Sequence, residues 1–193
     1  MQVMGSAVSL RATSAAAWLL WVLMPASVTG QPSIAPERLS LQAAAGPTLM
    51  EGGNVLWTAF GYSPLSRLEL LLTGERIHVP FQSERFPGGS SVTRGGTLTF
   101  VSGEVRLALR PPDRVSPFAV AGIGGGVSRP NVNAQFPDPV RNGLRVLHVG
   151  GGVRVPLRRG LSLLGDARGL LALEGNDGIL AILPVRVGVA WRF

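Results

Sequence analysis

The sequence lacks cysteine and lysine, and it has few charged residues of any kind. Without cysteine the chain can form no disulfide and offers no thiol for a lipid anchor. Charged residues make up 15% of the chain, whereas a soluble domain typically has about 25%. After residue 30, no uninterrupted apolar run reaches the ~20 residues that a transmembrane helix needs. A chain that is 46% hydrophobic yet lacks such a run must distribute its apolar residues in another pattern.

Residues 1–30 have the pattern of a secretory signal peptide. Arg11 is their only charged side chain, and an apolar run of about ten residues covers 15–24 before a proline ends it. This run is too short to cross a bilayer of roughly 30 Å. We therefore predict cleavage after Gly30 and a mature protein of residues 31–193, with an uncleaved anchor as the alternative. Export and the scattered arginines argue against a nucleic-acid partner, although the formal net charge is +7.

Residues 179–193 alternate between two kinds of side chain. One parity is apolar throughout and holds Ile179, Ala181, Leu183, Val185, Val187, Val189, Trp191 and Phe193. The other parity holds Leu180, Ile182, Pro184, Arg186, Gly188, Ala190 and Arg192. Successive side chains of a strand point to opposite faces, so this segment is predicted to be a strand with one apolar face. Because proline cannot donate to a sheet ladder, we predict a bulge or a break at Pro184.

Seven earlier segments alternate in the same way, and their connections alternate between short and long. The predicted strands cover residues 39–45, 55–62, 67–79, 97–110, 118–127, 144–155, 161–173 and 179–193. The second, fourth and sixth connections are short, whereas the third and fifth are the long loops 80–96 and 128–143. This arrangement predicts an all-β, eight-stranded, antiparallel, up-and-down transmembrane β-barrel with short periplasmic turns and long external loops.

The charged residues of the predicted strands lie on one parity. The apolar faces carry no charge except Arg76 and Arg145, which lie near strand ends. The opposite faces carry a few charges of both signs, at Glu69, Glu104, Arg106, Arg154, Asp166, Arg168 and Arg186. A soluble barrel or sandwich, which is the alternative, would carry many more charges on its outer face. We therefore predict that the apolar faces contact lipid and that the charged side chains form a network in a narrow lumen.

This pattern resembles the small eight-stranded outer-membrane barrels of the OmpA transmembrane-domain and OmpX kind. The resemblance covers about residues 36–193 and rests on alternation rather than on a motif. It implies a bacterial outer-membrane location, contact with outer-membrane lipid and a terminal strand, with Val189, Trp191 and Phe193, that the barrel-assembly machinery recognises. We expect a monomer. Two roles stay open for the loop arginines, which are ordinary solvated charges or groups that pair with lipopolysaccharide phosphates, the candidates being Arg85, Arg94, Arg129 and Arg141.

Three classes of function remain open: a structural or interaction barrel, a membrane-embedded lipid-modifying enzyme, and a narrow pore or carrier. A deacylase-like pattern would place a serine two residues from a histidine on a lipid-facing strand, and neither His78 nor His148 has one. We therefore expect no enzyme activity. Two histidines without any cysteine give no metal-ligand spacing, so we expect no metal site. The glycine runs 122–126 and 150–152 precede no helix, so they predict no phosphate-binding loop, and we expect no cofactor. Large arginines in so narrow a lumen also predict that it does not conduct.

The last two strands allow one register to be predicted. Asp166 and Arg186 lie on the charged parity at equal distances from Asn176, the centre of the turn at residues 174–178. An antiparallel hairpin folded about that centre places the two side chains opposite each other. The sequence therefore predicts an ion pair between Asp166 and Arg186 inside the barrel.

Overall fold

The computed structural model describes the barrel as one unit within residues 35–193. The described residues are 38–49, 52–80, 82–86, 89–93, 95–111, 114–132, 141–158, 160–174 and 178–193. The predicted signal peptide and its cleavage point lie outside them. Among the described residues, no helix is long and apolar enough to span a membrane.

The described chain is almost entirely strand. Its elements are β1 (Leu39–Pro47), β2 (Asn54–Leu65), β3 (Leu68–Val79), β4 (Gln82–Phe86), β5 (Gly89–Thr93), β6 (Gly96–Ala108), β7 (Ser116–Pro130), β8 (Asn142–Arg158), β9 (Leu161–Glu174), β10 (Gly178–Ile182) and β11 (Val185–Arg192). Strands β10 and β11 continue one another along β9, so the wall has eight strand positions. All neighbouring pairs are antiparallel, as predicted.

The sheet closes on itself between β11 and β1. Six paired positions run from Ser40↔Arg192 to Ala45↔Val187. The backbone N–H groups of Leu39 and Phe193 each donate to the other residue's carbonyl, at 3.2 and 3.0 Å. Closure gives β11 a partner on both sides, whereas the short β10 pairs only with β9 among the described residues. The predicted eight-stranded antiparallel barrel is therefore confirmed.

The pairing registers give the stagger of the barrel. A row of paired residues that starts at Leu68 on β3 passes through the other strands and reaches Asn54 on β2. Asn54 pairs with His78, which lies ten residues beyond Leu68 on β3. The rows therefore climb from the end with the short turns, called here the turn end, to the end with the long connections, called the loop end. A stagger of this size in eight strands tilts them by about 40°.

The last wall strand breaks at the predicted proline. Pro184 separates β10 from β11 and forms only an isolated bridge to Thr48. Its carbonyl still accepts from the Arg168 N–H at 3.1 Å, so β9 continues past the break in register. Proline lacks the N–H that the ladder needs, and the irregular pairing extends over only a few residues. The prediction of a break at Pro184 is confirmed.

The connections differ from prediction in two places. The second strand was predicted to end at residue 62 with a short turn at Ser63-Pro64, which is wrong, because β2 runs on to Leu65 and the chain turns at Ser66-Arg67. The segment 80–96 was predicted to be a loop, and it contains the paired hairpin β4–β5, which is separate from the barrel sheet. The sequence pattern does not reveal this hairpin, because the segment is rich in serine and glycine. Its residues do not alternate between apolar and polar, so no strand signal appears.

The two faces of the wall divide as the alternation predicts. The outer face carries large apolar side chains that are 40–69% exposed, such as Ile123, Val149 and Leu72. The inner face divides into two zones along the axis. Polar and charged side chains fill the turn end and the middle, whereas the loop end holds a buried apolar cluster of Val55, Ile77, Val79, Leu98, Phe100, Leu144, Val146, Leu170, Ala172 and Ile182. The sequence analysis did not foresee this apolar zone.

Candidate functional site: the charged interior of the barrel

The charged side chains at the turn end surround Glu69 of β3. Glu69 Oε2 accepts from Arg106 Nη1 at 3.0 Å and from Arg154 Nη2 at 2.8 Å. Its other oxygen, Oε1, accepts from Ser40 Oγ and Gln42 Nε2, both at 2.9 Å. Arg192 Nη2 lies 3.8 Å from the same oxygen. This Glu69 cluster therefore gathers three guanidinium groups around one carboxylate.

A second cluster occupies the middle of the barrel and centres on Asp166 of β9. Arg186 grips Asp166 with two bonds, Nε to Oδ1 at 2.9 Å and Nη2 to Oδ2 at 3.0 Å. Arg168 Nη2 donates to Oδ2 at 3.1 Å, and its Nη1 donates to Glu104 at 2.6 Å. Arg186 Nη1 also donates to Glu75 at 3.1 Å. The Asp166 cluster thus links two arginines to three carboxylates, and all five side chains are at most 7% exposed.

The predicted Asp166–Arg186 pair is confirmed in both register and contact. The two residues are directly paired across β9 and β11. The break at Pro184 does not shift this register, because β10 and β11 pair with β9 at successive positions of the same strand. The bidentate contact is the geometry in which a guanidinium binds a carboxylate best.

Trp57 of β2 lies between the charged side chains and is 1% exposed. The guanidinium carbons of Arg186, Arg168 and Arg106 lie 4.8, 5.3 and 5.9 Å from its ring centroid. Its indole N–H donates to Glu104 Oε1 at a long 3.4 Å. Cation–π contacts strengthen when the cation is desolvated, as all three arginines are here. Trp57 therefore connects the Glu69 and Asp166 clusters through Arg106.

A small hydroxyl and imidazole group lies beside the Asp166 cluster. His148 Nε2 is 3.2 Å from Ser102 Oγ and 3.8 Å from Glu104 Oε1, and Ser102 Oγ is 2.6 Å from Thr73 Oγ1. In a catalytic triad the serine and the acid contact opposite ring nitrogens. Here both lie at Nε2, while Nδ1 has no hydrogen-bond partner among the described residues. The group has the residue types of a triad but not its geometry, and His148 and Ser102 are each 2% exposed.

All seven side chains predicted to form the lumen network point into the barrel. Glu69, Arg106 and Arg154 meet in the Glu69 cluster, and Glu104, Asp166, Arg168 and Arg186 meet in the Asp166 cluster. The prediction omitted Glu75, Arg192 and Trp57. Parity alone could have found the two charged residues, since Glu75 shares the parity of Glu69 on β3 and Arg192 that of Arg186 on β11.

The remaining predicted residues lie on the outer face of the barrel or are residues whose side chains the structure does not describe. Val189, Trp191 and Phe193 are 46–55% exposed on the outer face of the closing strand, and the Trp191 and Phe193 ring centroids are 5.2 Å apart. Arg129 and Arg141 are exposed at the loop end. Arg85 belongs to β4, where only the backbone is described, and Arg94 lies outside the described residues.

The described interior leaves little open space. A cavity of about 10 Å³ at the turn end is lined by Glu69, Arg106, Arg154 and Phe118, and it has room for about one water molecule. The apolar cluster fills the loop end. No group of three or more potential metal ligands occurs among the residues that the structure describes. The interior is therefore packed with side chains over the described part of the wall.

The Asp166–Arg186 pair provides a double-mutant test of the interior. We expect Asp166→Ala to lower the free energy of unfolding by about 3–5 kcal/mol, because Arg186 and Arg168 stay buried with less compensation. The double variant D166A/R186M should lose less than the sum of the single losses, since it removes both charges. Urea unfolding in lipid vesicles measures all three. Strict additivity of the two substitutions would contradict direct coupling.

Comparison with known proteins extends these observations. No protein-family model matches the chain, and no curated protein sequence matches it. Among solved structures, the N-terminal β-barrel domain of Pseudomonas aeruginosa OprF aligns with a TM-score of 0.60 and 15% identity, covering 81% of this chain and 98% of that chain. Neisserial surface protein A aligns with a TM-score of 0.62 and 13% identity, covering 82% and 98%. The chain therefore has the closed eight-stranded fold of outer-membrane β-barrel proteins.

Proposed function

We propose that this protein is a non-enzymatic integral β-barrel of the bacterial outer membrane, which anchors and presents its loop-end connections on the external side. The observation that supports this proposal most is that the barrel is apolar outside and charged inside, the reverse of a soluble protein. The outer face of the described wall is mostly apolar and bears no described carboxylate, whereas the inner face encloses four carboxylates and five arginines, namely Glu69, Glu75, Glu104, Asp166, Arg106, Arg154, Arg168, Arg186 and the half-buried Arg192.

The outer face supports a lipid environment on physical grounds. A soluble protein rarely exposes a contiguous apolar patch larger than a few hundred Å². Here large apolar side chains are exposed on all eight wall positions, including Leu41, Leu56, Leu72, Val105, Ile123, Val149, Leu163, Val187 and Val189. In water this surface would drive aggregation, whereas hydrocarbon solvates it without cost.

The orientation follows from the connections. Small outer-membrane barrels place short turns on the periplasmic side and long loops outside. We therefore place the turn end of this barrel, with the Glu69 cluster, in contact with the periplasm. The aromatic side chains Phe60, Tyr62, Trp191 and Phe193 lie at this end of the outer face, where such residues mark the membrane interface. The same closing strand is the segment that we propose the assembly machinery recognises.

The packed interior supports an anchoring role over a pore or an enzyme. The Trp57 ring and its three arginines cross the middle of the lumen, and the apolar cluster fills the loop end. A conducting path would have to displace both layers. Ser102 and His148 are each 2% exposed, so the wall and the packed interior shield both side chains from a substrate carbonyl.

Membrane fractionation with heat-modifiable gel migration tests the proposal. We expect the mature protein to sediment with the outer membrane and to migrate differently before and after boiling, because a closed barrel resists unfolding by detergent. Intact mature protein in the soluble periplasm, migrating the same with and without boiling, would contradict the proposed location. Hydrolysis of purified lipopolysaccharide acyl chains by the folded protein would contradict the non-enzymatic role.

A further inference from the structure

The outer wall is not uniform at the loop end, because one half of the barrel carries exposed arginines there. Arg76 on β3, Arg129 on β7 and Arg145 on β8 have the outward parity of their strands and are exposed. Arg141 precedes Asn142, the partner of Ser128, and so lies beside Arg129. We call these four residues the rim arginines. They occupy the contiguous half of the wall formed by β3, β6, β7 and β8.

The stagger of the barrel brings the rim arginines together. Arg145 shares a row with Gly74, two residues before Arg76, through Val101 and Gly125. The row climbs toward the loop end from β3 to β8, which brings Arg145 to about the height of Arg76. Adjacent strands lie about 4.8 Å apart, so the two backbones are roughly 14 Å apart across three strand spacings. Arg129 and Arg141 lie above and between them, toward the loops.

The opposite half of the wall has no equivalent. At the loop end of β9, β10, β1 and β2, the outward residues with described side chains are uncharged, among them Leu173, Leu171, Ala181, Leu49 and Leu56. None of the rim arginines forms an ion pair with a described carboxylate, since all the described carboxylates with described side chains point inward. Among the described side chains, the positive charge of the rim is therefore confined to one side and faces the membrane.

The outer wall directly beneath the rim arginines contains glycines as well as exposed apolar side chains. Three outward glycines lie there on adjacent strands, Gly74, Gly103 and Gly125, and a Cβ built at Gly103 would meet no atom within 4 Å. Exposed Val101, Ile123 and Leu147 surround them. A ligand that fits this half of the wall combines phosphate or similar anionic groups at the rim with apolar chains along the glycine-containing apolar wall below.

We propose that β3, β6, β7 and β8 form a binding face for a lipid with several phosphate groups on its headgroup, lipopolysaccharide in the external leaflet. Guanidinium groups bind phosphate oxygens through two parallel hydrogen bonds, and a spread of roughly 14 Å suits two separate phosphates better than one. This inference rests on the proposed outer-membrane location and names the partner of one side of the barrel.

Binding of purified lipids to the folded full-length mature protein in detergent tests the proposal, with native mass spectrometry as the readout. The probes are diphosphoryl lipid A, its dephosphorylated form, phosphatidylglycerol and inorganic phosphate. We expect diphosphoryl lipid A to bind at least tenfold more tightly than the other three. R76Q/R145Q should weaken that binding at least tenfold, whereas R67Q/R158Q, which removes two exposed arginines at the turn end, should change it less than twofold.

The alternative outcomes separate the two proposals. Equal binding of phosphatidylglycerol, or equal losses in both double variants, would overturn the rim site while leaving the barrel in the membrane. Heat-modifiable migration of each variant reports folding independently. If R76Q/R145Q fails to fold, R129Q/R141Q tests the same face from its loop side, and unchanged binding there would overturn the inference. Loss of heat-modifiable migration in the unmodified protein would instead contradict the proposed function.

Discussion

Replacing Glu69 by glutamine is expected to lower the free energy of unfolding of the barrel by about 3–5 kcal/mol. Glutamine keeps the size of the side chain and an oxygen that accepts from Ser40 and Gln42, so the substitution removes charge with little change in volume. Glu69 forms the only ion pairs of Arg106 and Arg154 among the described residues. Without its charge, two guanidinium groups stay buried in the lumen and lose their ion pair with a described carboxylate.

Glu75 provides the matched control for this substitution. Among the described residues, its carboxylate pairs with Arg186 alone, and its second oxygen has no hydrogen-bond partner. Arg186 keeps its bidentate contact with Asp166 when Glu75 is neutral. We therefore expect Glu75→Gln to cost clearly less than Glu69→Gln in urea unfolding in lipid vesicles. Equal losses would show that burial of a carboxylate, rather than the number of arginines it neutralises, sets the cost.

The strand alternation predicted most of the fold because the barrel wall has only two environments. A single residue of slip would send Glu69 or Arg168 into lipid, so the pattern specifies register strongly. The same argument predicted the Asp166–Arg186 pair across a short turn. It could not predict how Glu104 reaches Arg168, since that contact crosses strands whose relative positions depend on the stagger of the whole barrel.

Two features of the interior escaped sequence reasoning for a physical reason. The apolar parity was assigned to lipid, yet the loop end of the lumen is also apolar, with Phe100 and Leu98 pointing inward. At these strand ends the alternation is inverted, because the polar Thr99 between them points outward, as does Arg76 on β3. A rule that assigns the apolar parity to lipid therefore fails there. Trp57 was one aromatic among several on β2, and only its inward direction separates it from the exposed Phe60 and Tyr62.

Trp57→Ala is expected to cost about 3–5 kcal/mol of unfolding free energy and to open the middle of the lumen. The substitution removes the ring that faces Arg106, Arg168 and Arg186, and the wall cannot collapse to fill the space because its strand pairing fixes the barrel radius. Trp57→Phe should recover part of the loss, because phenylalanine keeps an aromatic face for the guanidinium groups but not the indole N–H that donates to Glu104.

Trp191 offers the matched control, since it is the other tryptophan of the predicted mature chain and is 55% exposed on the outer face. Trp191→Ala leaves the interior untouched, so its loss in stability should be clearly smaller than that of Trp57→Ala. Planar-bilayer recording shows which layer of the lumen blocks conduction. Because the apolar cluster at the loop end stays in place, we expect Trp57→Ala to remain non-conducting even though it is destabilised. Steady single-channel conductance in this variant would show that the Trp57 layer is the barrier, and conductance in the unmodified protein would contradict the filled lumen.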